Sequence, residues 1–557
     1  MKTLNYPHQQ SPGPRSDFNK TDIHEVWRLE ELKGGRMALN IWWTFMMAAA
    51  FAASVVGSVA ELLWLRPRRL ERRLRAQGLI GSRYRFPFGD VRDDAKLFHE
   101  ARRNPMPLSH RIVPRVAPQL HLAWELYGGE SKVLFTWMGP YPQIMIMDPE
   151  MVKEVLSTKF GNFEKPQTNP FVNYVISGVG SYEGEKWAKH RRIIGPAFHL
   201  EKLKMMIPAF STCCDELISR WEDYTGSRGV CELDVWPEFQ IFAGDIISRA
   251  AFGNNYKDGR RIFELQLEQI DLLVQSFQSL YIPGLRFIPT RKNKRRKEIH
   301  REVITLLKSM IKQRELAMRN GESNSDDLLS LLIESNLSYF QERGAHSPNV
   351  GLTTEDVIDE CKVFYFAGHE TASILLTWTL IALSMHQNWQ ARAREEVMKV
   401  FGQNKPNIEG LNELKILTMI LLEVLRLYPP ATWLVRKTCK ETKLGKFAFP
   451  AGVLVALPII LLHHSREYWG EDAEEFNPNR FAEGVSKATK NQLVFFPFGW
   501  GPRICLGQSF ALTEVKLVLA RILQRFSAEL SPSYAHEPCL VLTLQPQNGA
   551  QLILKKL

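Results

Sequence analysis

The stretch FFPFGWGPRICLGQSFALTE, residues 495–514, decides the fold, because it sets one cysteine in a fixed frame of phenylalanine, glycine and arginine. The frame is F-x-x-G-x-R-x-C-x-G, formed by Phe498, Gly501, Arg503, Cys505 and Gly507. In a chain of 557 residues, a chance match to this spacing is on the order of one in ten thousand. The rest of the sequence is therefore interpreted around Cys505.

This loop contains the residue types that a thiolate metal ligand requires. Residues 506–523 form an amphipathic helical pattern, so Cys505 lies at a helix N-terminus, where unpaired N–H groups lower the pKa of a thiol. Gly501 and Gly507 allow tight turns around the sulfur, and Arg503 can pair with a carboxylate of a cofactor. The other cysteines are expected to be buried apolar residues: Cys213, Cys214, Cys231, Cys361, Cys439 and Cys539.

The loop resembles the haem-binding loop of the cytochromes P450, in which a cysteine thiolate holds the iron. The resemblance implies haem b (iron protoporphyrin IX) as cofactor, with Cys505 as the metal ligand. It also implies the cytochrome P450 fold, which is mainly α with minor β and forms a single catalytic domain behind an N-terminal transmembrane helix. Three longer stretches, among them residues 181–204, resemble the plant clan-72 enzymes, and within them family 72, subfamily A.

Residues 367–373, AGHETAS, resemble the oxygen-activation signature of the same family. Gly368 permits a local break in helical hydrogen bonding, which would open a groove beside Ala367 for dioxygen and water. Glu370 and Thr371 supply an acid and a hydroxyl that can relay protons. Standing alone, the motif would equally describe a core helix with two polar groups.

Two further sets of residues match the family in the same order along the chain. Glu423 and Arg426 form E-x-x-R, and with Arg480 of FNPNRF they resemble a structural triad behind the haem. Trp187 and Arg191 form W-x-x-x-R, and the resemblance directs both toward the haem propionates, with Arg436 as a third partner. Without the other motifs, W-x-x-x-R would fit an ordinary amphipathic pair.

Substrate contacts are expected from the loop 169–179, the apolar stretch 277–289 and residues on either side of the motifs. Those pocket residues are Phe364, Phe366, Thr432, Trp433 and Leu434. The implied reaction is hydroxylation of a lipophilic molecule with dioxygen, either a plant isoprenoid (triterpenoid, gibberellin or iridoid) or a xenobiotic. Two alternatives remain: a haem-thiolate isomerase or dehydratase without a reductase, and a non-catalytic haem-binding membrane protein.

A twenty-residue segment without charge, residues 41–60, is long enough to cross a bilayer. The six arginines of residues 66–75 follow it, and the positive-inside rule places the remaining chain in the cytosol. The expected localisation is a single-pass protein of the endoplasmic reticulum membrane. The expected divisions are a lumenal segment 1–38, an anchor 39–65, a basic membrane-proximal region 66–110 and a catalytic domain 111–557.

The net charge of +11 indicates an acidic or anionic partner. The basic run 291–297 is interpreted as a solvated helix start beside a membrane, and nucleic acid is rejected as a ligand because no nucleic-acid-binding module accompanies it. The resemblance implies electrons from NADPH through NADPH–cytochrome P450 reductase, an acidic protein. Lys186, Lys189 and Arg192 could form part of its docking surface.

The regular pattern predicts two helices that position these motifs. Thr353 is the expected N-cap of a long helix that ends near Met385, with Asp356 three residues into it. A second helix should run from about Asn412 to Tyr428, before two prolines. Short β-rich stretches are expected at 132–147 and 438–458, and a surface loop at 334–352.

Overall fold

The computed structural model describes residues 42–130, 132–166, 169–253, 256–277, 285–320, 327–343 and 351–557. Within them the chain is mainly helical, and the expected fold class is confirmed. The longer helices are α1 (42–60), α2 (Arg66–Ala76), α3 (Val91–Ala101), α5 (Pro118–Tyr127), α7 (Gly184–Ile194), α8 (Leu200–Thr225), α9 (Val235–Phe252), α10 (Tyr256–Phe277), α11 (Arg291–Arg319), α12 (Leu328–Arg343), α13 (Thr354–Met385), α14 (Gln387–Phe401), α16 (Lys415–Leu427) and α19 (Gln508–Arg525). The shorter ones are α4 (Val113–Val116), α6 (Pro149–Lys153), α15 (Ile408–Glu413), α17 (Ile459–His463) and α18 (Arg466–Trp469).

The strands form one larger sheet and three small ones. They are β1 (Ile80–Gly81), β2 (Val133–Met138), β3 (Tyr141–Ile146), β4 (Phe163–Glu164), β5 (Val230–Asp234), β6 (Leu434–Thr438), β7 (Thr442–Leu444), β8 (Phe447–Phe449), β9 (Leu454–Leu457), β10 (Phe526–Leu530), β11 (Pro538–Leu540), β12 (Leu544–Pro546) and β13 (Gln551–Lys556). The six-stranded sheet has the order β1-β2-β3-β9-β6-β4, and the others are β10-β13-β5, β11-β12 and β7-β8. In the large sheet β3 runs parallel to β9, and β6 runs antiparallel to β9.

The central helix α13 begins as the sequence predicts. The Thr353 hydroxyl accepts the Asp356 N–H at 3.1 Å, and the Asp356 carboxylate accepts the Thr353 N–H at 3.1 Å, which is a capping box. The helix ends at Met385, also as expected, and most of its side chains are buried. It therefore forms the core against which the other helices pack.

Other expectations are only partly met. The predicted loop 334–352 is wrong over 334–343, because α12 extends to Arg343, and residues 344–350 lie outside the described residues. The helix expected at 412–428 is interrupted before α16, which ends at Leu427 ahead of the two prolines. Cys439 is exposed, contrary to expectation, because it follows the edge of β6 in a surface turn.

The N-terminal region divides from the rest at Arg66, and the compact unit of residues 67–557 contains the whole large sheet. A helix of 35 residues, Trp42–Ala76, is long and apolar enough to cross a membrane by length and composition. Pro67, Leu70 and Leu74 are buried, so the expected basic region 66–110 contributes to the core of the compact unit. The expected lumenal segment 1–38 lies outside the described residues.

Candidate active site

The cysteine loop brings the Cys505 sulfur to a tight turn just before α19. The Cys505 N–H donates to the Phe498 carbonyl at 2.9 Å, and Gly507 caps the helix. Gly501 has a φ of 71°, and a Cβ there would overlap the Leu156 carbonyl, so only glycine fits. Gly501 therefore fixes the turn before the cysteine, whereas a Cβ at Gly507 would make only an ordinary contact of 4.0 Å with the Cys505 sulfur.

The surroundings of Cys505 set the acidity of its thiol. It is accessible to solvent, yet burial is the main influence on the thiol and raises its pKa. The Gly507 N–H and the Arg191 guanidinium lower the pKa of the same thiol. A thiolate here would therefore be favoured by the Gly507 hydrogen bond, by the Arg191 charge and by the positive charge of a bound metal.

A few residues near the middle of α13 are less buried than their neighbours. From Glu360 to Ser384 the side chains are buried, with the exception of residues 366–368 and Thr371. Ala367 is exposed, although the turns before and after it are covered by protein. The Thr371 hydroxyl donates to the Ala367 carbonyl at 2.6 Å. The predicted oxygen-activation residues Ala367 and Thr371 thus border open space within the core.

Gly368 has a different neighbour from the one expected. A Cβ at Gly368 would overlap the Cδ1 atom of Ile247 on α9, and α13 is assigned as one continuous helix through this point. The glycine therefore permits close packing of the two helices. The helix is not broken at Gly368. The Ala367 carbonyl instead accepts a hydrogen bond from the Thr371 hydroxyl.

Four cations converge beside the cysteine loop, although they come from four separate segments. They are Lys165, Arg191, Arg436 and Arg503. Burial, Arg436 and Arg503 lower the pKa of Lys165 to about 7, and burial followed by Arg503 lowers the pKa of Arg436 to about 10. Such shifts show that these positive charges lie close together in a poorly hydrated region.

Glu183 is the carboxylate that accompanies this cluster. It accepts hydrogen bonds from the Arg503 Nη2 atom and, at 2.9 Å, from the Lys165 backbone N–H. The Arg503 guanidinium lies 4.4 Å from the centre of the Trp187 ring. The Arg503 Nη1 atom is buried and has no hydrogen-bond partner among the described residues. The cluster therefore carries more positive charge than its protein neighbours neutralise.

Comparison with known proteins identifies the family. The family model for cytochrome P450 matches residues 115–554. The chain belongs to the cytochrome P450 family. Cytochrome P450 CYP72A616 of Paris polyphylla is 58% identical over 92% of this chain and 98% of that protein. Secologanin synthase 2 of Catharanthus roseus is 50% identical over 90% of this chain and 94% of that protein.

Other similarities agree with this assignment. Cytochrome P450 72A15 of Arabidopsis thaliana is 50% identical over 92% of this chain and 98% of that protein, so the resemblance to subfamily 72A is confirmed. The solved structure of retinoic acid bound cyanobacterial CYP120A1 aligns with a TM-score of 0.66 at 23% identity, covering 78% of this chain and 94% of that chain. That structural likeness supports the fold alone.

This P450 is a haem-thiolate monooxygenase, and its cofactor is haem b. The residues present fit that group. The unpartnered Nη1 atom of Arg503 and the mutually repelling cations call for negative charge, and the two carboxylates of haem supply it. Cys505 would hold the iron, while Arg191, Arg436 and Arg503 would hold the propionates beside Trp187. Phe498, which belongs to the cysteine loop, packs against the main core.

The residues expected behind the haem come together in a buried network. Glu423 and Arg426 are fully buried and share two hydrogen bonds of 2.8 Å, and Arg480 Nε lies 3.3 Å from the Glu423 carboxylate. Arg426 also donates to the carbonyls of His463 and Ala473. Asp472, which the sequence analysis missed, lies 2.8 Å from Arg480. The network joins α16 to the segment before the cysteine loop.

A separate apolar cluster gathers the predicted pocket elements. Its buried members are Phe171, Val175 and Leu273, and it includes Ile176, Ile270, Phe366 and Leu542. The loop 169–179 and Phe366 therefore meet, as expected. Leu542 at the tip of the β11–β12 hairpin and the residues of α10 were not found from sequence. Residues 278–284 of the expected apolar stretch lie outside the described residues.

Phe364 does not join this cluster. It packs in the main core, with its ring 5.5 Å from that of Phe198 and the two rings edge to face. The pocket assignment of Phe364 stays a prediction. Residues two positions apart on a helix point about 200° apart, so Phe364 and Phe366 cannot share one face.

The residues after α16 divide in a similar way. Trp433 and Leu434 are partly exposed and pack against the core, as residues at the edge of a pocket do. Thr432 is buried, and its hydroxyl has no hydrogen-bond partner within the part of the chain that the structure describes. The Thr432 carbonyl accepts the Ile460 N–H at 3.0 Å, which ties this turn to α17.

Proposed function

We propose that this P450 hydroxylates a lipophilic plant isoprenoid, of the triterpenoid, gibberellin or iridoid class, with dioxygen and electrons from NADPH. One observation carries the proposal: the apolar cluster of Phe171, Leu273 and Leu542 includes Phe366, which directly precedes the exposed Ala367 on α13. Similarity to secologanin synthase supports an isoprenoid substrate. A xenobiotic of similar size and polarity is the second candidate.

The chain's own residues have distinct tasks in this reaction. Cys505 would hold the haem, which would supply dioxygen activation with the thiolate as electron donor. Arg191, Arg436 and Arg503 orient the cofactor through its carboxylates. The Thr371 hydroxyl and the buried Glu370 carboxyl hold and deliver protons, and the apolar cluster excludes water from the substrate. One oxygen atom enters the substrate and the other leaves as water.

The proposed electron donor is NADPH–cytochrome P450 reductase, which approaches the exposed face of α7. Arg192 is exposed on this face, whereas Lys186 is engaged by Asp356 at 2.9 Å and lies over the Tyr182 ring. Arg192 is therefore the stronger candidate for docking. Arg192→Glu should lower reductase-supported turnover several-fold and leave peroxide-driven turnover unchanged. Lys446→Glu, the same charge change in the exposed β7–β8 turn, is the control; equal loss in both assays would reject the docking face.

The proposed location is the endoplasmic reticulum membrane, with a single span and a cytosolic catalytic domain. The apolar helix Trp42–Ala76 and the arginines of α2 support this orientation. A glycosylation acceptor site fused ahead of residue 1 should be modified, and one fused after residue 557 should not. The reverse pattern would overturn the orientation.

The direct test is a substrate screen in reductase-containing microsomes, with products identified by mass spectrometry. The reduced protein should first show the red-shifted carbon monoxide band of a thiolate-ligated haem, which Cys505→Ala should abolish and Cys439→Ala should retain. Product formation that requires NADPH supports hydroxylation. Conversion of a peroxide substrate without NADPH would favour the alternative, an isomerase or dehydratase, and a protein without any turnover would fit a non-catalytic haem carrier.

A further inference from the structure

The carboxyl group of Glu370 is held by a hairpin far away in sequence. Its Oε1 atom accepts the Thr543 hydroxyl at 2.7 Å and the Gln545 side-chain amide. The Gln545 Nε2 atom also lies 3.3 Å from the Thr543 hydroxyl oxygen. Glu370 is 3% exposed, so these donors satisfy a carboxyl that water scarcely reaches.

Glu370 and Thr371 are adjacent in sequence but have different hydrogen-bond partners. The Thr371 hydroxyl donates to the Ala367 carbonyl of its own helix. Adjacent side chains leave a helix about 100° apart, so the acid is directed to the β11–β12 hairpin. The position of the acid therefore depends on that hairpin as well as on α13.

The hairpin is itself anchored at a second point of α13. The Trp378 indole N–H donates to the Leu544 carbonyl at 2.9 Å, two helical turns beyond Glu370. The Leu544 N–H donates to the Pro430 carbonyl at 3.1 Å. A group held by an element with several independent anchors keeps one geometry, which a proton donor requires.

The same hairpin reaches the apolar cluster of the pocket. Leu542, directly before Thr543, packs in that cluster together with Phe366. The Val541 N–H closes the hairpin tip by donating to the Thr543 carbonyl at 3.1 Å. A substrate that contacts Leu542 therefore touches the segment that holds the acid.

We propose that Thr543 and Gln545 are positioning residues for proton delivery, because they fix the Glu370 carboxyl through an element that also contacts the substrate. The proposal rests on the relay role proposed above for Glu370 and Thr371. A purely structural role for the two donors would leave proton delivery unchanged once the protein is folded.

Charged groups around Glu370 set the direction of the expected effect. Burial raises the pKa of Glu370, Thr543 and Gln545 lower it, and Asp271 on α10 raises it. The His369 Nδ1 atom lies 3.8 Å from the Glu370 carboxyl, but burial lowers the pKa of His369 to about 3, so that imidazole is neutral. Removal of the two donors should therefore raise the pKa of Glu370 further.

The first test needs no substrate. In the full-length haem-loaded protein, infrared difference spectra during a pH titration report the protonated carboxyl band of Glu370, assigned by its loss in Glu370→Gln. In Thr543→Val/Gln545→Leu the midpoint of this band should rise by about one to two pH units. Thr543→Ser should retain the wild-type midpoint, and so should Thr379→Val, which removes a buried hydroxyl bonded within α13. An unchanged midpoint in the double variant would overturn the proposal.

The second test measures the ratio of product to NADPH consumed, with the substrate found in the screen above. The double variant should form roughly five-fold less product per NADPH and release more hydrogen peroxide, while its carbon monoxide band stays intact. Wild-type coupling in the double variant would overturn the positioning role. Wild-type coupling in both Glu370→Gln and Thr371→Ala would instead reject the relay itself.

Discussion

The Nδ1 atom of His190 lies 2.6 Å from the Oε1 atom of Glu360, and this contact joins α7 to the first turns of α13. Glu360 is fully buried and also accepts the Val179 N–H, at 2.8 Å from Oε1 and 3.1 Å from Oε2. A Cβ on Gly178, which has a φ of 58°, would lie 2.6 Å from the Glu360 carboxyl carbon. One carboxyl thus fixes the pocket loop 169–179 against both helices.

Replacement of Glu360 by glutamine should destabilise the compact unit. The glutamine side chain would either place its NH2 group against the Val179 N–H, which is also a donor, or lose the hydrogen bond to His190. Either change should cost about 2–4 kcal/mol. The midpoint of thermal unfolding, followed by circular dichroism, should fall by several degrees. Glu355→Gln, an exposed position in the first turn of α13, should change it little. Equal midpoints for the two variants would contradict this role.

Lys165 should contribute to haem retention. Because its ammonium lies in the cation cluster with Arg191, Arg436 and Arg503, Lys165→Met should weaken haem binding by about ten-fold. Haem transfer to apomyoglobin measures the rate of loss. Lys437→Met is the matched control, since Lys437 pairs with Glu164 at 2.6 Å. Equal loss rates would exclude Lys165 from the haem site.

The buried network around Arg426 should be required for folding. Arg426→Met removes two hydrogen bonds from the fully buried Glu423 carboxylate and leaves Arg480 as its charged partner, which costs about 3–5 kcal/mol. Little haem-loaded protein should accumulate, as measured by the carbon monoxide band per total protein. Asp472→Asn should have a smaller effect, because the Asp472 side chain is 38% exposed and its partner Arg480 still has the ion pair with Glu423. Comparable loss in both variants would argue against a network centred on Arg426.

The Thr371 hydroxyl should matter for coupling more than for stability. Thr371→Ala removes a donor that borders the open space beside Ala367, so product per NADPH should fall several-fold while the unfolding midpoint stays close to wild type. Thr371→Ser keeps the hydroxyl and should retain most of the coupling. A Thr371→Ala enzyme with unchanged coupling would exclude the hydroxyl from the relay.

Stability should decrease in mild acid. Burial lowers the pKa of His463 and His464 to about 3 and that of His536 to about 4, from an ordinary value of 6.5. Below pH 6.5 these histidines bind protons in the unfolded chain but stay neutral in the folded protein. The stability that the neutral histidines allow is therefore complete above pH 6.5 and is lost as the pH falls toward their folded-state pKa values. Each histidine costs on the order of 2 kcal/mol at pH 5.

Buried carboxyl groups with a raised pKa act in the opposite direction, and Asp94 and Glu514 are examples. The pKa of Asp94 is raised to about 7 and that of Glu514 well above its ordinary value, both mainly by burial, so the folded protein binds these protons more readily than the unfolded chain. The buried histidines should outweigh them. The thermal midpoint should therefore fall steadily from pH 7 to pH 5, and a constant midpoint would contradict the assignment of neutral histidines.

Features that depend on neighbouring residues were predictable from sequence. The N-cap of α13 is an example, because Thr353 and Asp356 are three residues apart and satisfy each other. The stop of α16 before two prolines is another, since proline lacks the N–H that a helix needs. The loop predicted at 334–352 was wrong over 334–343, because the polar composition of that segment gave no sign of the packing that makes α12 helical.

Features that depend on distant segments were not predictable from one sequence. Lys165 is a lone cation after a two-residue strand, and only the pairing of β4 with β6 places it in the same cluster as Arg436. The direction of Phe364 also required the structure, because α13 is buried on nearly every side and its sequence has no single apolar stripe.

The sequence by itself determined the family and predicted Cys505 as the residue that would hold the haem, because the spacing of the cysteine loop is local and can be recognised without knowledge of the fold. It also supplied Glu370 and Thr371 as adjacent acid and hydroxyl. Only the tertiary structure decided that Thr543 and Gln545 hold the acid. Those bonds join residues separated by more than 170 positions, so they arise from the docking of the hairpin on α13 and have no local sequence signal.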